Sequence, residues 1–307
     1  MKLLMAGATG LVGTALKPAL DKKGIGVTDL VRTEPNIALP EIEWHPNKGE
    51  IDPSQIEGFD AVINLAGESI AEGGWTDEKK KRIRDSRVDG TRLLSETFAK
   101  LSAPPKVFLC ASATGIYGNR GDEILDEDSA PGKGFLAEVC REWEEATEPA
   151  INAGVRVVKL RFGPIFSSKG GMLEKLLTPF KLGVGGKIGS GKQYLSWVTI
   201  DDVVGAVVFA LENERVHGPI NIATPNPSTN VEFTKAMGKV LSRPTIFAVP
   251  EFAARLAFGE MADEMLLTSQ RVLPKRLSEA GFKFQYPVLE AALRHVLSEP
   301  PAVAGGP

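Results

Sequence analysis

Gly7-Ala8-Thr9-Gly10-Leu11-Val12-Gly13 is the segment whose residue types and spacing point most directly to chemistry. It follows the apolar run Leu3-Leu4-Met5-Ala6 and opens a helix-like stretch from Thr14 to Leu20. A strand, a tight glycine turn and a helix N-terminus together make a phosphate cradle. Backbone N–H groups and the helix dipole face the anion, and missing Cβ atoms let a pyrophosphate approach. Gly7, Thr9, Gly10, Leu11, Val12 and Gly13 are therefore candidate contacts to a dinucleotide.

The end of the second strand separates the two nicotinamide dinucleotides. Sites for NAD place a carboxylate there to hold the ribose 2′-OH. Here the strand ends Leu30-Val31-Arg32-Thr33, and Asp29 lies three residues before the arginine, inside the strand. The planar fork of Arg32 suits a 2′-phosphate, so NADP is expected over NAD, with Val31 beside it and Glu34 as the one opposing charge. Arg87 adds a second argument. Ile83, Arg87, Gly90, Thr91, Leu94 and Phe98 share one apolar helix face, while Lys80 and Arg84 fall off it. An arginine on a buried stripe needs an anion, either a cofactor phosphate or a carboxylate of the protein itself. The Lys79-Lys80-Lys81-Arg82 run reads as a solvated helix face, and Asp122, Glu123, Asp126, Glu127 and Asp128 as a solvated acidic loop bordering the expected cleft.

These groups need a scaffold, and the chain alternates strand and helix signals. Strands are expected at 2–6, 27–32, 61–65, 107–111, 155–162 and 220–223, with helices at 12–23, 78–101, 135–152 and 200–213. That alternation predicts an α/β fold, a doubly wound parallel sheet of the Rossmann type covered on both faces. Beyond Ala223 helices dominate, at 231–241 and from Pro250 onward, with short strands at 247–249 and 282–286 and a last helix burying Leu289, Leu293, Val296 and Leu297. The expected division is 1–162 with 200–240 as an NADP-binding Rossmann domain, 163–199 with 241–297 as a smaller, mainly helical substrate-side domain, and 298–307 as a disordered tail.

Composition narrows the partners. Of 307 residues, 43% are hydrophobic and 24% charged, and a net charge of −3 offers no case for nucleic acid or an anionic membrane. Apolar runs such as Val203 to Leu211 are too short to span a bilayer. Met1-Lys2 leads straight into a strand, leaving no room for a signal peptide, and Cys110 and Cys140 read as reduced thiols, so a cytoplasmic location is expected. No His, Cys, Asp or Glu cluster has metal-ligand spacing, and His45, His217 and His295 are expected on the surface or in loops.

Several runs now resemble a family. The glycine turn, Asn64-Leu65-Ala66-Gly67 and Tyr117-Gly118 are similar to an extended short-chain dehydrogenase/reductase. Ala66-Gly67-Glu68-Ser69-Ile70, Trp75-Thr76, Ser86-Arg87-Val88-x-Gly90-Thr91, Gly189-Ser190-Gly191-Lys192-Gln193, Trp197-Val198-x-Ile200-x-Asp202, His217-Gly218-x-Ile220-Asn221 and Gly281-Phe282-x-Phe284 narrow the resemblance. They resemble the atypical, epimerase-like branch with a small C-terminal domain, often labelled sugar-nucleotide epimerases, and cover residues 1–297. The resemblance implies cofactor contacts from Leu65, Ala66, Gly67, Glu68 and Arg161, a small-molecule substrate, and a possible homodimer through the helices at 78–101 and 135–152. In the second of these, Arg141, Glu142, Glu144, Glu145 and Glu148 read instead as a solvent-facing polar face.

The same sequence objects to standard chemistry of that family. Proton exchange with substrate needs a tyrosine whose pKa is lowered by a lysine one helical turn later. Four residues after Tyr117, Tyr194 and Tyr286 stand Gly121, Val198 and Glu290, so no YxxxK exists. The slot falls on Phe135/Val139 or Leu136/Cys140, and the usual asparagine before Val-x-Gly-Thr is Arg87. Ser112 matches the family's catalytic set, while Tyr117 and Glu68 are the candidate surrogate acids. Tyr117 also reads as a wall or positioning residue, with no cation placed to lower its pKa. A substrate pocket is expected at the sheet's C-terminal edge, with Trp75, Phe166, Phe180, Gln193, Trp197, Phe258, Lys187, Lys192 and Arg161 as candidate lining.

The functional expectation is an NADP-binding oxidoreductase or epimerase-like protein acting on a carbonyl or sugar-nucleotide substrate with a non-standard acid. The alternatives are a non-catalytic NADP-binding regulator, for which relatives carrying a cell-division label give precedent, and a scaffold that has lost the cofactor as well.

Overall fold

The computed structural model describes residues 1–298. Its main sheet contains β1 (Lys2–Ala6), β2 (Gly26–Val31), β3 (Glu41–His45), β4 (Glu50–Ile51), β5 (Ala61–Asn64), β6 (Val107–Ala113), β7 (Arg156–Phe162) and β8 (Gly218–Ile222). The strand order is β8-β7-β6-β5-β1-β2-β3-β4. β1 lies parallel to both β2 and β5, β5 parallel to β6, and β2 parallel to β3, while β3 and β4 run antiparallel. Order therefore reverses at β1, the place where an open α/β sheet leaves a crevice at its C-terminal edge. Leu3, Leu4, Met5, Ile63, Phe108 and Leu109 are fully buried, as near-continuous apolar runs in a two-sided sheet require.

The strands expected in the main sheet are all present within two residues of their predicted ends, and the sheet gains β3 and β4, where Glu41–His45 alternates charge with Ile42 and Trp44. The long helix Asp77–Phe98 starts where Thr76 accepts the Lys79 N–H and Asp77 and Glu78 face the dipole. Gly90 lets the Trp44 ring approach; a Cβ there would stand 3.0 Å from it. The helix expected at 135–152 is two pieces, Phe135–Glu145 and Glu148–Asn152, because Pro149 cannot donate within a continuous helix and is tolerated only in a first turn.

The chain forms two compact units. The first is Met1–Ile116, Phe135–Arg161 and Val204–Ile220, built on the sheet. The second holds Tyr117–Gly134, Phe162–Val203 and the described chain from Asn221. The segments at 117–134 and 221–240 thus fall in the second unit, whereas the sequence division grouped them with the sheet. The core of the second unit gathers Phe166, Leu173, Phe180, Trp197, Phe233, Met237, Ala292, Leu293 and Val296. Phe166 stacks on Trp197 at 5.1 Å with planes 2° apart. Phe166, Phe180 and Trp197, expected to line a pocket, are core residues instead.

No strand forms at 282–286. The Gln285 and Tyr286 N–H groups donate to the Asp202 carboxylate at 2.6 and 3.1 Å, and Phe282 packs edge-on against Phe284. Asp202, which also accepts from the Thr199 hydroxyl at 2.9 Å, thereby takes the place of a partner strand. The last helix is Leu289–Ser298, and the remainder of the expected tail lies outside the described residues. Among the described residues no helix is long and apolar enough to cross a membrane.

Candidate functional site

At the end of β1 the chain turns through Gly7, at φ +77°, into the helix Leu11–Asp21. A Cβ on Gly7 would lie 2.6–2.8 Å from backbone atoms of Leu65 and Ala66, and one on Gly13 would lie 2.4 Å from the Gly7 carbonyl oxygen. Both glycines are therefore fixed by backbone packing, which no side-chain movement could relieve. Gly10 N–H bonds the Gly7 carbonyl at 3.1 Å, and the helix that follows has no side-chain cap. Its first N–H groups are thus left without a side-chain acceptor, as an anion site at a helix N-terminus requires. Thr9 and Gly10 are exposed, and Leu11 and Val12 half-buried. The residues thus fit a dinucleotide pyrophosphate.

Arg32 follows β2 and is exposed, with no ion pair or side-chain hydrogen bond among the described residues. Asp29, the carboxylate inside the strand, pairs through Oδ2 with Lys17, and its Oδ1 is buried without a hydrogen-bond partner among the described residues. The loop after β5 crosses beside the glycine turn. Leu65 N–H bonds Ala6, and the Asn64 side chain accepts the Ala66 N–H at 3.1 Å while donating to Thr91 Oγ1 at 2.9 Å. Trp143 Nε1 donates to the same Thr91 oxygen. Arg87 lies under this loop, its guanidinium 3.2 Å from where a Gly67 Cβ would be. It donates to the Glu68 and Ile83 carbonyls at 2.9 and 2.8 Å and sits 5.3 Å from the Trp143 ring centroid. Burial lowers its pKa, the cost of a desolvated cation without a carboxylate in ion-pair range. Of the two anion partners open for Arg87, a carboxylate of the protein is not the one it has.

The three candidate proton carriers are each committed elsewhere. Ser112, near the end of β6, donates to Glu144 Oε1 at 2.7 Å, and Arg161 holds the same carboxylate through Nε and Nη2 at 2.7 and 2.9 Å. All three are buried, so Arg161 is spent on Glu144 and not directed at a phosphate. Glu144 itself had been read as surface. Its distance of four residues from the buried Cys140 was the signal that placed it inward. Glu68 is bound by Lys79 at 2.6 Å and Arg82 at 3.2 Å, and the Lys79 hydrogen bond holds its carboxyl below the usual glutamate range. Near neutrality Glu68 is an acceptor and has no proton to give. The basic run before it is not simply solvated, since Lys79 is itself buried. Tyr117 is fully buried and its hydroxyl donates to Asn221 Oδ1 at 2.8 Å, the geometry of a core tyrosine.

The slot where YxxxK belongs is resolved. Leu136 and Cys140 face the turn after β6: a Cβ on Gly115 would meet them at 3.5 and 3.8 Å. Phe135 instead packs edge-on against Trp75 at 5.2 Å. Burial pushes the Cys140 thiol up to about 12, so near neutrality the slot holds a leucine and a neutral thiol in place of a phenol and an ammonium. The acidic loop also differs from expectation. Glu127 is buried, accepting the Asn221 and Arg276 N–H groups, and burial raises its pKa, while Asp126 and Asp128 pair with Lys275. Gln193 holds the Ile188 and Leu266 carbonyls, and His295 stacks on Tyr286 at 4.0 Å beside Asp201. Among the described residues no group of three or more His, Cys, Asp or Glu could hold a metal.

The family model described as NAD dependent epimerase/dehydratase family matches residues 3–223, and a domain of unknown function, DUF1731, matches 249–296. The epimerase family protein Mb2239 of Mycobacterium bovis is 42% identical over 296 residues, covering 96% of this chain and 97% of that protein. The human epimerase family protein SDR39U1, solved with NADPH, superposes with a TM-score of 0.87 at 33% identity over 96% of this chain and 99% of that one. A nucleoside-diphosphate sugar epimerase from Corynebacterium glutamicum gives 0.80 at 38% identity, over 97% of this chain and 58% of that one. The chain belongs to the NAD-dependent epimerase/dehydratase family, in an SDR39U1-like group that carries a small DUF1731 domain at the C-terminal side.

Proposed function

We propose that this protein binds NADP(H) in preference to NAD(H) and uses it as an oxidoreductase or epimerase-like enzyme on a carbonyl or sugar-nucleotide substrate, without a YxxxK pair. The carrying observation is the contrast at the end of β2: Arg32 stands exposed while Asp29 is neutralised by Lys17. A 2′-phosphate meets a planar cation there, while the strand's carboxylate is already paired with a lysine. Gly7, Thr9, Gly10, Leu11, Val12 and Gly13 would hold the pyrophosphate, and Leu65, Ala66, Gly67 and the Glu68 backbone would flank the cofactor, with Arg87 beneath them. The NADPH held by the human relative supports the same assignment. When bound, the cofactor supplies hydride transfer, and the chain's own residues bind and orient it.

Calorimetric titration of NADPH and NADH into wild type and Arg32→Ala tests the reading. The expectation is an NADPH preference that falls by about 10- to 100-fold in the variant, the worth of one charged hydrogen-bonding group. Equal affinities in wild type would overturn it. A second reading, a cofactor-holding protein without turnover, is favoured by the commitment of Ser112, Tyr117 and Glu68 to internal partners. Tight NADPH binding with no oxidation by any carbonyl or sugar-nucleotide substrate would select it.

A further inference from the structure

Resting on NADP(H) binding as just proposed, we propose that the hydride acceptor is a conjugated, ring-shaped dicarbonyl of the quinone class, seated against Trp75, Phe135 and Leu136. Two independent features of the first unit carry this. One is the commitment of the candidate acids among the described residues: Ser112 is bound to Glu144, and Leu136 with a neutral Cys140 stands beside the turn after β6 in place of the usual pair. The other is an apolar, aromatic surface beside that slot. Trp75 and Phe135 meet edge to face at 5.2 Å, both half-buried, and the indole N–H is already satisfied by the Ile70 carbonyl at 2.8 Å. What these rings present is therefore hydrocarbon, which suits a flat apolar ring better than a polyhydroxyl sugar.

The chemistry explains why the two features belong together. Hydride transfer to a saturated ketone leaves an alkoxide, the anion of an acid about as weak as water, so a positioned acid matters by ~10²–10⁴-fold. Transfer to a quinone leaves a phenolate, whose conjugate acid lies at roughly 10 by comparison with tyrosine. That anion persists until water protonates it. The balance is simple: NADPH gives one hydride from its nicotinamide ring and becomes NADP⁺, the quinone takes the hydride and becomes the hydroquinone monoanion, and one proton from water completes the hydroquinone. Lys80, 4.6 Å from the Phe135 ring centroid, places a cation beside the same rings.

The test uses the full chain and 2-methyl-1,4-naphthoquinone as probe. Binding is read first in protein loaded with NADP⁺, where nothing turns over. Trp44, Trp143 and Trp197 are buried and Trp75 is not, so saturable indole quenching with a calorimetric heat is expected. Leu136→Asn is expected to weaken quinone binding about tenfold or more and leave NADPH affinity within about twofold, which also certifies its fold. Oxidation of bound NADPH by the quinone is then expected to outrun that by cyclohexanone by roughly 10³-fold more than it does for free NADPH, flat from about pH 6 to 8. No saturable quinone binding by protein that does hold NADPH, or an unaltered affinity in Leu136→Asn, would overturn the acceptor assignment and leave the cofactor reading standing. Failure to hold NADPH would overturn both.

Discussion

At the end of β1 the chain keeps its polar groups unspent, while at the end of β6 it spends them on itself. Around Gly7 and Gly13 backbone packs on backbone, the helix N–H groups have no side-chain cap, and Arg32 stands exposed at the end of β2. Around Ser112 a buried serine, carboxylate and arginine satisfy one another, and the neighbouring helix presents Leu136 and Cys140. Both places serve the same sheet edge. The difference separates holding a cofactor from exchanging a proton, and here the first is preserved in a form that an outside ligand completes while the second is internally closed.

Substitutions can break that contrast, and the largest effect is expected at the closed site. Glu144→Ala leaves the Arg161 guanidinium buried without its anion, so urea denaturation is expected to register a loss of about 3–5 kcal/mol. A loss under about 1 kcal/mol would mean the pair is hydrated and the site not closed. Gly13→Ala acts at the open site. A Cβ 2.4 Å from the Gly7 carbonyl must push the helix away, and NADPH affinity is expected to fall by about 100-fold or more with a stability loss of about 1–3 kcal/mol. Tyr117→Phe is expected to cost about 1 kcal/mol in the same denaturation assay, since Asn221 loses one donor in a buried site.

The smallest effect concerns Glu68, and its sign follows from the lowered pKa. A depressed carboxyl contributes its stability above the ordinary 4.5 and loses it as pH falls through the lower folded value. The tie between the loop at 66–76 and Lys79 is thus complete at neutral pH and released in acid. Proteolysis of that loop is expected to accelerate as pH falls below the ordinary glutamate range, and in Glu68→Gln at every pH, with a cost near 1 kcal/mol. A loop equally resistant in both proteins would show that Glu68 holds nothing.

The open site was legible in the sequence because its determinants are local. Glycine spacing, the preceding apolar strand and the arginine ending β2 all sit within residues 2–32, where backbone geometry follows from residue type. The closed site depends on a meeting of Ser112, Glu144 and Arg161 from three elements, and periodicity alone set Glu144 among its charged neighbours. Arg87 fell between the two. Its burial was legible from the apolar stripe, its carbonyl partners were not. Phe282-Lys283-Phe284-Gln285-Tyr286 alternated like a strand, yet Asp202, more than eighty residues earlier, takes the N–H groups a neighbouring strand would have used.

One measurement bears most directly on the contrast: single-turnover oxidation of bound NADPH by a saturated ketone, followed by its absorbance across about pH 5 to 9. With the cofactor site open and the proton carriers committed, NADPH stays bound throughout and its oxidation is slow or absent, with no dependence on a titrating side chain. A rate that changes about tenfold per pH unit through a single ionisation would reveal an available acid or base and contradict the account.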